Sequence, residues 1–164
     1  MQITREIFTE DAGDYYTREG APAAAQITSA PTQAPETLHG SCLCGAATFT
    51  LPGPMGAVTA CHCTQCRKLS GHFAASFDVP EPSVTLHSRA TITQYTTPGG
   101  GQRGFCSTCG SSLWFRAADG AFSIEAGCIT APTGGHLTRH IFTADKGDYY
   151  SLTDGLPQFP QSGP

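Results

Sequence analysis

The cysteines are the residues of this 164-residue chain best placed to do chemistry. There are 8 of them. Seven fall into three tight groups, Cys42-Leu43-Cys44, Cys61-His62-Cys63-Thr64-Gln65-Cys66 and Cys106-Ser107-Thr108-Cys109, and Cys128 stands apart. Closely spaced thiols can converge on one soft cation, and zinc takes four ligands tetrahedrally with sulfur at about 2.3 Å. The two outer pairs, Cys42 with Cys44 and Cys106 with Cys109, complete one closed structural site. Gly110 suits the turn after the second pair, where a positive φ is wanted. Cys61, Cys63 and Cys66 remain, and three protein ligands with an open fourth position is the catalytic arrangement. Three thiolates leave such a site at about −1 overall, poor for making hydroxide but suited to taking in a substrate thiol and holding it as thiolate. The expected reaction is attack of that thiolate on an electrophile, or the reverse.

Other uses of the same residues stay open at this point. The paired clusters could form disulfides or a redox couple. The trio could be a second closed structural site, with His62, His72 or Cys128 as its fourth ligand. In an extended C-x-C the side chain of His62 points away from its two neighbours. Cys128 sits in the apolar run Glu125-Ala126-Gly127-Cys128-Ile129, where a thiol packs as a small hydrophobe.

The elements that must position these thiols read as short strands. Residues 46–51, 73–79, 83–87, 91–96, 113–116 and 121–129 are β-branched or aromatic runs bounded by Gly, Pro or Asp, the pattern of a mainly β domain. Residues 64–71 read as a single helical turn. Residues 18–37 are rich in Ala, Pro and Thr without hydrophobic period and read as an extended linker. The folded catalytic body is expected over 38–160, after an N-terminal segment 1–17.

That segment is half of an internal repeat: REIFTEDAGDYY at 5–16 returns as RHIFTADKGDYY at 139–150. Two copies are too few for a solenoid. Either the duplication has no catalytic role, or both copies dock on equivalent surfaces, as on the two subunits of a homodimer.

Composition bounds the function. Only 13% of residues are charged, and the net charge is −4, so no basic field exists to hold nucleic acid or an anionic membrane. No apolar run approaches the roughly 20 residues of a spanning helix. The start, MQITREIFTEDAGDYY, has no apolar signal core, which points to a cytoplasmic, reducing compartment and favours metal over disulfides.

The stretches GSCLCGAATF (40–49), CHCTQCRKLSG (61–71), RGFCSTCGSSLWF (103–115) and HIFTADKGDYY (140–150) resemble the glutathione-dependent formaldehyde-activating enzyme family, to which centromere protein V is related. The resemblance covers roughly residues 38–160. It implies a β-tent of antiparallel sheets stapled by zinc knuckles, with Cys42, Cys44, Cys106 and Cys109 on a structural zinc and Cys61, Cys63 and Cys66 on a catalytic one. It further implies a carbon–sulfur lyase, condensing glutathione with formaldehyde to the S-hydroxymethyl adduct and reversing it. A different thiol or electrophile, or a non-catalytic zinc-binding interaction module of the same fold, is the alternative. Glutathione carries two carboxylates, for which Arg67, Lys68 and Arg103 are the expected partners. Asp145, Lys146 and Asp148 are secondary candidates. His72 and His140 either relay protons or are satisfied structural histidines. Trp114 and Phe115 are expected to fill the core behind the second knuckle.

Overall fold

The computed structural model describes residues 5–18, 35–130 and 132–163. Most of the expected linker, 19–34, lies outside the described residues. The described chain is mainly β, in two sheets. The smaller is antiparallel, in the order β1 (Thr37–Ser41), β2 (Thr48–Pro52), β5 (Thr85–Ser88). The larger runs β10 (His136–Ile141), β3 (Ala57–Cys61), β4 (Ala74–Asp78), β9 (Phe122–Glu125), β8 (Ser112–Arg116), β7 (Gln102–Cys106), β6 (Ile92–Thr96). One helix, α1 (Thr64–Ser70), follows β3.

Alternation builds the core. In β1 and β2 every second residue is buried, so Leu38, Phe49 and Leu51 turn one face of the small sheet inward. They meet Phe77, Leu113, Trp114 and Ile124 of the large sheet in one apolar cluster. Phe49 lies over Gly40, its cross-strand partner, leaving no room there for a Cβ. Trp114 covers Gly104 in the same way. Full burial of each large side chain contributes roughly 1.5–3 kcal/mol.

The apolar runs found in the sequence became β2, β4, β5, β6, β8 and β9, the last ending in a 3-10 turn over Ala126–Cys128. Residues 64–70 form the expected short helix. Four strands carry no such signal. β1 and β10 contain histidine or arginine, β7 is Gln-Arg-Gly-Phe-Cys, and β3 is mostly small residues. Arg103 and His140 are buried in specific contacts, whereas His39 and His136 face solvent. The sheets are also not wholly antiparallel, because β10 pairs with β3 in parallel. A parallel pair needs a long crossover, and here most of the domain intervenes between the two strands.

The two repeat copies share a local fold. Phe8 and Phe142 are both left-handed (φ 52 and 55) and each precedes a 3-10 turn, Thr9–Asp11 and Thr143–Asp145. Tyr15 covers Gly13 as Tyr149 covers Gly147. Their surroundings differ. The C-terminal copy enters β10 and lies on β3. The N-terminal copy is held elsewhere, by the Asp14 carboxylate accepting from Thr133 N and Oγ1 (both 2.7 Å) and by Leu137 N donating to Tyr15 O (2.6 Å). Within one chain, then, the copies occupy different surfaces.

Candidate metal centres and the adjoining cavity

The first cysteine group closes the hairpin between β1 and β2, and the third closes the hairpin between β7 and β8. Each knuckle ends in a left-handed glycine, Gly45 (φ 73) and Gly110 (φ 78). Their amides close the turns onto Cys42 O (3.0 Å) and Cys106 O (2.8 Å). The positive φ expected at Gly110 is therefore present, and Gly45 mirrors it. The sulfurs of Cys42, Cys44, Cys106 and Cys109 lie within 4.8 Å of one another. Cys42 and Cys44 are 3.5 Å apart, Cys44 and Cys106 3.8 Å. A tetrahedron of sulfurs around zinc has edges of about 3.8 Å, so the donor set fits that ion. A metal here would staple the small sheet to the large one.

The trio is local. Cys61 ends β3, Cys63 is the N-cap of α1, and Cys66 lies buried in its first turn. The Cys63 sulfur accepts from Cys66 N (3.4 Å), and the three sulfurs also lie within 4.8 Å of one another. Among the described residues no fourth His, Cys, Asp or Glu donor joins them. Hydrogen bonds from the Cys61 and Cys66 thiols, together with the amides of Cys66 and Gln65, hold Cys63 far below the usual thiol range. Cys61, which donates that proton, is pushed up correspondingly. This site too could hold a metal ion.

The expected cationic residues divide. Arg103 is buried at 7% exposure. Its Nη2 donates to the Cys66 sulfur (3.4 Å), and its guanidinium lies over the Phe115 ring, 4.6 Å from the centroid. It faces the trio itself rather than open solvent. Arg67 is half-buried on α1, with its Nε unpartnered like that of Arg103. Lys68 is exposed. Trp114 is in the core as expected. Asp145 and Asp148 are exposed, and Lys146 donates to the carbonyls of Gly147 and Tyr150.

The histidines do not join the cysteines. His62 is fully buried and turns away from Cys61 and Cys63. Its Nδ1 meets the Tyr150 hydroxyl, its Nε2 lies 2.9 Å from His140 Nδ1, and His140 Nε2 lies 2.8 Å from the Asp154 carboxylate. An ionised carboxylate only accepts, so His140 Nε2 carries a proton. The buried His62 ring is thus bridged between the Tyr150 hydroxyl and His140 Nδ1. Burial, with His140 adjacent, pushes His62 down to about 4, which keeps it neutral. His72 lies 3.2 Å from the Tyr149 hydroxyl. The C-terminal Tyr-Tyr pair thus clamps both histidines that flank α1. Cys128 donates to Ser112 O (2.9 Å) and is not part of the trio's donor cluster, and burial pushes it up to about 12.

A cavity of about 1080 Å³ opens beside α1. Its walls include Ser70, whose hydroxyl donates to Cys66 O, and Ala74, the cross-strand partner of Cys61. His140, Tyr150 and Asp154 line it as well. So does Glu125, which sequence reading passed over as part of an apolar run; burial pushes its carboxyl up to about 7 against the opposing pull of Arg103 and Ser112.

Residues 37–145, well over half the chain, match the family model described as Glutathione-dependent formaldehyde-activating enzyme. The chain belongs to this family. A Halomonas elongata protein named "Putative glutathione-dependent formaldehyde-activating enzyme" is 34% identical over 87 residues. That match covers 47% of this chain and spans about half, 54%, of the Halomonas protein. A crystal structure of a Rhodobacter sphaeroides protein overlaps with a TM-score of 0.47 at 21% identity, covering 61% of this chain and 99% of that one. The family match contains all seven clustered cysteines and stops short of the N-terminal repeat copy. No helix among the described residues is long and apolar enough to cross a membrane.

Proposed function

We propose that the chain is a zinc-dependent carbon–sulfur lyase that condenses glutathione, or a similar thiol, with formaldehyde and reverses the reaction. One observation carries the reading: among the described residues four sulfurs converge in one cluster and only three in the other. Cys42, Cys44, Cys106 and Cys109 would hold a structural ion; Cys61, Cys63 and Cys66 would hold the second. Zinc bound at the trio supplies one thing, a lowered pKa for a thiol brought next to it.

The chain's own residues do the rest. Cys63 is pinned at the start of α1 by the Cys66 amide, which fixes the trio before any substrate arrives. The Arg103 guanidinium, 3.4 Å from the Cys66 sulfur, offsets the negative charge that three thiolates gather. In condensation the sulfur–carbon bond forms, the carbonyl π bond opens, and the thiol proton ends on the aldehyde oxygen. No oxidant or reductant is needed. Holding two small molecules together supplies much of the acceleration.

The test is the cobalt-substituted protein. Adding glutathione should change its thiolate-to-cobalt absorption, and NMR should detect the S-hydroxymethyl adduct forming faster than in buffer. A spectrum indifferent to every thiol would leave a closed, non-catalytic zinc module.

A further inference from the structure

The N-terminal copy of the repeat lies outside the family match, yet it walls the cavity. Residues 5–18 form a compact loop whose ends meet through the Arg18–Glu6 ion pair (3.3 Å). Loops of this kind, closed on themselves and packed by their own side chains, commonly carry function. Asp14 and Tyr15 fasten the loop to Thr133 and Leu137. In this position Arg5, Tyr16 and Arg18 line the cavity together with Asp154 and Tyr150.

The two copies put the same arginine to different uses. Arg139 donates to Thr59 Oγ1 on β3 (3.1 Å) and is structural. Arg5, its counterpart, lines the cavity and has no carboxylate partner among the described residues. Arg18 is already neutralised by Glu6. Among the described residues the cavity thus has one guanidinium without a carboxylate partner, while the Asp154 carboxylate is already engaged by His140 Nε2 and Leu156 N. Its volume of about 1080 Å³ lies just above the roughly 300–1,000 Å³ range of small-molecule sites. A guanidinium without a carboxylate partner on the wall of such a space matches a carboxylate of a small peptide.

We propose that the N-terminal copy is a substrate-binding wall, and that Arg5 grips a carboxylate of the peptide body of the thiol, held in this cavity, whose Ser70 and Ala74 adjoin the cysteine trio. This rests on the reading of the trio as a thiol site and goes beyond it by assigning the body of the substrate to a wall that the family pattern lacks.

S-Methylglutathione separates the two ideas, because its sulfur carries no ionisable proton and the peptide remains. Calorimetry on the full-length zinc-loaded protein should show it binding. Arg5→Gln should weaken binding roughly tenfold, the cost of one charge-assisted hydrogen bond. Asp14→Ala, which frees the loop, should weaken it by at least as much. Arg5 is exposed, so its variant folds even if Asp14→Ala does not. If the unaltered protein fails to bind S-methylglutathione, or Arg5→Gln binds within twofold of it, the proposal is overturned. The open metal position is tested separately by 2-mercaptoethanol and the cobalt spectrum. Silence there overturns the lyase reading while the calorimetric result stands on its own.

Discussion

Replacing Glu125 with glutamine should make the protein more stable, and only at the alkaline side. Glu125 is 9% exposed at the end of β9. Burial raises its carboxyl from 4.5 to about 7, while Arg103 and Ser112 pull the other way. An acid raised on folding holds its proton longer in the native state than in the unfolded one. Stability is then fully present below pH 4.5 and falls as pH rises toward 7, levelling off above it. At about 1.4 kcal/mol for each pH unit, the loss comes to about 3 kcal/mol. Glutamine keeps the shape of the protonated acid and cannot ionise. Urea denaturation followed by the fluorescence of Trp114, the single tryptophan, should be run with excess zinc at pH 5.5, 6.5, 7.5 and 8.5. Titrations shared by both proteins, those of the thiols included, cancel in the difference. The gap in favour of Glu125→Gln should widen by roughly 2 kcal/mol from pH 5.5 to 7.5 and then stay level. A gap that does not move with pH would refute the argument. A glutamine variant that is less stable at pH 8.5 would show that the Arg103 attraction outweighs burial and that the carboxylate is a partner, not a penalty.

Other outcomes follow from the same contacts. Cys63→Ser should leave the circular dichroism spectrum and most of the stability intact while halving the zinc bound per chain, whereas Cys109→Ser should unfold the domain because it breaks the link between the two sheets; identical behaviour would mean the two clusters do not divide structure from chemistry. Tyr150→Phe leaves the buried His62 Nδ1 without its hydrogen-bond partner, and a loss of roughly 1–3 kcal/mol is expected in urea denaturation. Gly104→Ala places a methyl against the Trp114 ring, so a cost of roughly 1–3 kcal/mol and a shifted tryptophan emission are expected. A strong chelator should strip metal from the trio before the four-sulfur cluster, and stability should collapse only with the second loss, as read by zinc release during titration.

The two knuckles were legible in the sequence because their geometry is local. C-x-C and C-x-x-C with a following glycine set sulfur directions through a few backbone angles, whatever surrounds them. The alternating strands were legible for the same reason, since a period of two reports one buried face. β7 and β10 were not, because Arg103 and His140 stand at inward positions where a polar residue normally argues against burial. Each is tolerated only through a partner distant in sequence, the Cys66 sulfur for one and the His62–Asp154 chain for the other.

By itself the sequence determined the composition of each cysteine cluster, the mainly β character and the existence of two copies of one motif. The tertiary structure decided what the copies do. Identical residues make identical turns because backbone preference is local, but a turn's neighbours are chosen by packing. One copy therefore became a sheet strand and turn clamping His62 and His72, and the other became a cavity wall whose Arg5 has no carboxylate partner among the described residues. That difference arises from contacts between residues more than a hundred positions apart, such as Asp14 with Thr133, and no pattern within either segment encodes it.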